Sequence, residues 1–100
     1  MPQYVIYARK STESEDRQVL SIDSQIRELK SLATHQGVTI GDVLTESKSA
    51  KEPGRPIFND LMRRVRRGQV RGIVTWKMDR LARNHLDTGQ VLQALADGHL

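Results

Sequence analysis

Tyr4-Val5-Ile6-Tyr7-Ala8-Arg9-Lys10-Ser11-Thr12 decides how the rest of the chain is read. Its first five residues form a continuous apolar run, β-branched and aromatic, with no polar alternation. Such a run makes a strand buried on both faces, the kind a parallel sheet uses. The run then breaks into cationic and hydroxyl side chains. In extended backbone Arg9 and Ser11 point to the same side, two residues apart.

Working outward, residues 11–20 are polar and acidic and read as a loop. Ile22, Ile26, Leu29 and Leu32/Ala33 recur at helical spacing, with Ser21 as cap and Gly37 closing the far end. A second strand falls within residues 38–46, best placed at 42–46. Residues 47–55 form a polar loop, and Pro56 suits the first turn of the next helix. There Phe58, Leu61, Met62 and Val65 make one apolar stripe, ended by Gly68. The third strand is placed at 72–76, with Trp76 read as core. Leu86, Val91, Leu92 and Leu95 predict a last helix ending near Gly98.

The order β-α-β-α-β-α predicts an α/β fold, a parallel or mostly parallel β-sheet flanked by helices. If the first strand lies between the other two, the chain changes direction across the sheet beside it. Ligands of such sheets bind beyond the carboxyl ends of the strands at that switch point. The segments starting at Arg9, Ser47 and Lys77 would then share one rim.

One hundred residues make one small domain or part of one. The net charge of +4 favours a polyanionic partner only weakly. Tyr4, Tyr7, Phe58 and Trp76 are the aromatic residues, too few for a base-stacking single-strand binder. The absence of cysteine excludes disulfides, thiolate catalysis and cysteine-type zinc sites, and fits a reducing cytoplasmic location. Tyr4-Val5-Ile6-Tyr7-Ala8 is too short for a signal-peptide core, and no segment approaches membrane-spanning length, so no membrane partner is expected.

A second cationic segment, Lys77-Met78-Asp79-Arg80-Leu81-Ala82-Arg83-Asn84, follows the third apolar run. Arg80 and Arg83 are three residues apart, so one helical turn would present both on one face. Guanidinium groups suit a phosphodiester because their planar fork donates paired hydrogen bonds to phosphate oxygens. Ser11 could attack phosphorus while Arg9 holds a non-bridging oxygen. Asp79 would orient an arginine or move a proton. His35, His85 and His99 read as surface or packing residues, and no carboxylate or histidine group has metal-site spacing. Guanidinium-stabilised phosphoryl transfer without metal or other cofactor is the simplest mechanism left. Arg63, Arg64, Arg66, Arg67 and Arg71 read as a solvated helix end or as auxiliary contacts to a DNA backbone.

Tyr7-Ala8-Arg9-Lys10-Ser11-Thr12, Ser24-Gln25, Gly54-Arg55-Pro56 and Lys77-Met78-Asp79-Arg80-Leu81-Ala82-Arg83 together resemble the serine site-specific recombinases of the resolvase/invertase family, including its large integrase and transposase branch. The resemblance covers essentially the whole chain. It implies Ser11 as nucleophile, with Arg9, Arg80 and Arg83 on the phosphate and Arg55 as a further active-site arginine. Asp79 matches the acidic member of the motif, and Gln25 and Lys77 match supporting polar positions. It further implies DNA cleavage and rejoining through a covalent 5′-phosphoserine link, on double-stranded DNA, within a dimer or tetramer of the full-length protein.

Two departures accompany the resemblance. Ala82 stands where many relatives have glycine. The chain also stops at Leu100, so the expected reading is an N-terminal part of a catalytic domain. The DNA-binding domain and dimerisation helix would lie outside it, and the fragment alone would have little activity. The alternative is a non-catalytic interaction or regulatory module of the same fold. A nucleotide-binding domain is disfavoured, because the loop after the first strand has no glycines to admit a pyrophosphate.

Overall fold

The computed structural model describes residues 3–10, 21–47, 54–76, 81–98 and 100. Its elements run β1 (Gln3–Arg9), α1 (Ile22–His35), β2 (Ile40–Glu46), α2 (Pro56–Arg66), β3 (Val70–Val74) and α3 (His85–Ala96). The strands form one sheet of order β2-β1-β3, with β1 parallel to both neighbours. The expected switch point beside β1 is therefore present. Right-handed crossovers, out from β1 to β2 through α1 and back from β2 across β1 to β3 through α2, run in opposite directions and so place α1 and α2 on opposite faces.

That topology explains the unbroken apolar run. Val5, Ile6, Tyr7, Ala8 and Arg9 are all buried, as a central strand covered on both faces requires. Val5 and Tyr7 share one core with Phe58, Leu61, Met62 and Val65 of α2 and Val91 and Ala94 of α3. Ile6 and Ala8 alternate to the other face, where α1 packs on β1 and β2 and buries Leu29 and Ala33. Burying a large apolar side chain contributes roughly 1.5–3 kcal/mol, so the four-residue stripe of α2 anchors that helix.

Capping follows sequence closely for α1. The Ser21 hydroxyl accepts from the Ser24 N–H at 3.2 Å, and Gly37 closes the helix at φ 70°. For α2, Pro56 occupies the first turn, but Arg55 at the N-cap gives no side-chain cap. Glu46 at the end of β2 supplies it instead, accepting from Ile57 N–H at 3.0 Å and Phe58 N–H at 3.1 Å. A carboxylate there also complements the helix dipole.

Three expectations need correction. β2 begins at Ile40, and β3 covers Val70–Val74 rather than 72–76. Its ladder with β1 runs only from Gln3↔Val70 to Ile6↔Val74, which leaves Trp76 beyond the sheet and 38% exposed rather than in the core. The last helix forms where expected, over His85–Ala96, though its leucines do not form the buried face. Leu86, Leu92 and Leu95 are exposed, while Asp87, Val91 and Ala94 are buried. The spacing i, i+4, i+7 is helical as expected, but an ion pair at Asp87 sets which stripe turns inward.

Candidate active site at the carboxyl edge of the sheet

Parallel pairing brings the carboxyl ends of β1 and β2 level, with Arg9 opposite Glu46, and Lys10 N–H continues the ladder to Glu46 O at 3.2 Å. Arg9 is fully buried despite its charge. Gln25, on the inner face of α1, is also buried, and its Nε2 donates to the Arg9 carbonyl at 3.1 Å. A polar residue that could have faced solvent thus fastens the last residue of β1, two positions before Ser11.

Beneath this edge lies a network of polar groups around Tyr7. The Tyr7 hydroxyl donates to Glu46 Oε1 at 2.6 Å and accepts from Arg55 Nη1 at 3.0 Å. Arg55 Nη2 pairs with Asp87 Oδ2 at 3.0 Å, both side chains being 1% exposed. The Arg55 guanidinium lies 4.1 Å from the centre of the Phe58 ring, and Phe58 meets Tyr7 edge to face at 6.3 Å. Asn84 Nδ2 donates to the same Asp87 oxygen at 2.7 Å. In return Asp87 N–H donates to Asn84 Oδ1 at 2.8 Å and so starts α3.

Burial pushes the Tyr7 phenol well above its ordinary value of 10, and its bond to Glu46 adds to the rise while Arg55 opposes it. The phenol therefore remains a neutral donor. A buried ion pair costs desolvation, and its burial is tolerable when further hydrogen bonds complete the geometry. The Tyr7 hydroxyl and the Asn84 amide supply two such bonds, while Arg55 Nε and Asp87 Oδ1 are buried without a hydrogen-bond partner among the described residues.

Of the residues expected in the site, the structure brings together Arg9, Gln25 and Arg55 around the end of β1. Arg83 is exposed and directly precedes Asn84, so the segment that carries it is tied to Arg55 through Asp87. Ser11, Lys77, Asp79 and Arg80 lie outside the described residues. His35 and His85 are exposed. Arg63, Arg64 and Arg66 sit towards the other end of α2, where they bond Asp60, Asp42 and Gln90. Among the described residues no three histidine, aspartate or glutamate side chains could hold a metal ion, and no helix is long and apolar enough to cross a membrane.

Sequence reasoning missed Glu46, Asn84 and Asp87 as members of this edge, and took Tyr7 only as strand. The Asn84-His85-Leu86-Asp87 spacing was a readable signal, since a capping amide with an acid three residues on marks a helix start. Glu46 carried no local signal, because its partners are remote in sequence.

An open parallel sheet with an arginine at its switch point places a cation at the edge where such sheets bind their ligands. The family described as resolvase, N-terminal domain, matches residues 4–99, and this chain belongs to that family. The N-terminal catalytic domain of TP901-1 integrase is 27% identical, with a TM-score of 0.82 over 98% of this chain and 74% of that one. The C-terminal catalytic domain of ISC1926 TnpA, an IS607-like serine recombinase, is 25% identical, with a TM-score of 0.77 over 97% of this chain. The chain spans 65% of that domain's length, just under two thirds. A serine recombinase from Sulfolobus solfataricus, 23% identical with a TM-score of 0.64 over 97% of this chain and 64% of that one, shares the fold. No curated protein sequence matches.

Proposed function

We propose that this chain is the catalytic-domain portion of a serine recombinase that cuts and rejoins double-stranded DNA. Ser11 Oγ attacks the scissile phosphorus, a P–Oγ bond forms as the P–O3′ bond breaks, and the serine proton ends on the departing 3′ oxygen. The 5′ phosphate is held as a phosphoserine ester, and attack by the 3′ hydroxyl of a new partner strand reverses the step. Bond energy kept in the ester removes the need for a cofactor. Arg9, Arg80 and Arg83 neutralise the phosphate as charge develops on its oxygens. Asp79 and Lys77 support those arginines, and Gln25 fixes the strand end that leads to Ser11.

The observation that carries this reading is the resolvase-family match over a sheet whose central strand ends at Arg9. A cation so placed, two residues before an alcohol, suits the binding of an anion at the switch point. Dimer and tetramer assembly and target recognition are assigned to the complete recombinase. Its Ser11→Ala variant tests the mechanism. It should bind duplex DNA spanning the recombination junction as the unaltered protein does, yet form no denaturation-resistant protein–DNA complex. Retained adduct formation at the same phosphate would exclude Ser11.

A further inference from the structure

The resemblance of Gly54-Arg55-Pro56 to the recombinase pattern makes Arg55 an expected active-site arginine, yet its surroundings are those of a structural tie. Its guanidinium is 1% exposed, its Nη1 donates to Tyr7 and its Nη2 to Asp87, and the Phe58 ring covers it. Asp87 is equally enclosed. It receives Arg55 and Asn84 on the same oxygen, and its own N–H is held by Asn84. Asn84 in turn follows Arg83 directly, and Leu81 and Ala82 before it are buried in the core.

The pair therefore joins three stretches remote in sequence. Through Tyr7 it grips β1 two residues before Arg9. Through Tyr7 and Glu46 it reaches the end of β2 and the first turn of α2. Through Asp87 and Asn84 it fixes the chain that delivers Arg83. We propose that Asp87 is a positioning residue, and that Arg55 acts through it by locking the Arg83-bearing segment onto the end of β1 rather than by touching the phosphate. This rests on the recombinase reading for its consequence in catalysis, but the locking itself is a property of the fold.

Its test has two arms in the complete recombinase. The first reads backbone amide hydrogen exchange in Asp87→Asn, Arg55→Ala and the apolar double variant Arg55→Met/Asp87→Leu. Replacing a buried pair by apolar residues of similar size commonly preserves folding, so the double variant separates positioning from stability. Exchange should rise about tenfold or more at Asp87 and Thr88, whose N–H groups bond Asn84, a shift of the size expected for local opening, with α1 and β2 still protected. Unchanged exchange at Asp87 and Thr88 would overturn the proposal, as would a uniform rise over the whole chain.

The second arm measures covalent adduct on a junction duplex, and on the same duplex with an uncharged methylphosphonate at the scissile position. Arg83→Ala should lose about 100-fold with the ordinary phosphate, as removal of a transition-state donor does, and recover much of it on the neutral linkage. Asp87→Asn and Arg55→Ala should lose a similar factor, since a misplacement of about 1 Å can cost that much, and recover none. Recovery of Arg55→Ala on the neutral linkage would place Arg55 on the phosphate and overturn the proposal. If the unaltered protein forms no adduct at all, the recombinase reading fails, and the exchange arm still decides whether Asp87 holds this segment.

Discussion

Replacing Tyr7 by phenylalanine removes one oxygen from the centre of the polar network and leaves the ring in place. That oxygen makes two bonds to charged groups, at 2.6 Å to Glu46 and 3.0 Å to Arg55. Hydrogen bonds to charged groups are worth about 1.5–3 kcal/mol, and a buried partner left unsatisfied bears its desolvation cost. Glu46 keeps two backbone donors and Arg55 keeps Asp87, so the loss is less than two full bonds. A destabilisation of about 2–4 kcal/mol follows, and at 4–8 °C per kcal/mol for a domain of this size the melting midpoint should fall by about 8–32 °C.

The pH dependence adds a second signature. The folded phenol titrates above its unfolded value of 10, so its contribution is complete below that value and is lost as pH rises beyond it towards the folded one. Chemical denaturation at a series of pH values should show the unaltered protein losing stability above about pH 10, with Tyr7→Phe losing less over the same window. A variant within about 0.5 kcal/mol of the parent at neutral pH, where ordinary surface changes fall, would refute the network's role.

Further outcomes follow from neighbouring contacts. Phe58→Ala removes the ring packed on Tyr7 and Arg55 and should cost about 3–5 kcal/mol by urea denaturation. Glu46→Ala should cost about 2–4 kcal/mol, since it strips the cap of α2 and the acceptor of Tyr7. Amide exchange at Ile57 and Phe58 should rise with it. Arg63→Ala breaks an exposed pair with Asp60, 54% and 53% accessible, and should change stability by less than about 0.5 kcal/mol. Gln25→Ala should lower stability by about 1–3 kcal/mol and raise exchange at Lys10.

The fold was legible because its signals are local. An unbroken apolar run in β1, a clean stripe in α2 and glycines at the helix ends each reflect a neighbour a few residues away. The strand order was only a condition in the sequence, β1 between its two neighbours, and the pairing meets it. Trp76 misled because apolarity alone does not say which face is covered. In α3 the face is set by Asp87, whose partner Arg55 lies far back in the chain. Arg9, Gln25, Arg55 and Arg83 were singled out from motifs alone, whereas Tyr7, Glu46 and Asn84, which bond around Arg55 and Asp87, have partners that only the packed structure reveals.

Mapping the amino acid joined to DNA decides the matter. The complete recombinase is trapped on its junction duplex, digested with protease and nuclease, and the nucleotide-bearing peptide is sequenced by mass spectrometry. A 5′-phosphoryl nucleotide esterified to Ser11 is the expected result. A link to another residue, or to a 3′ phosphate, would contradict the chemistry proposed for this edge of the sheet.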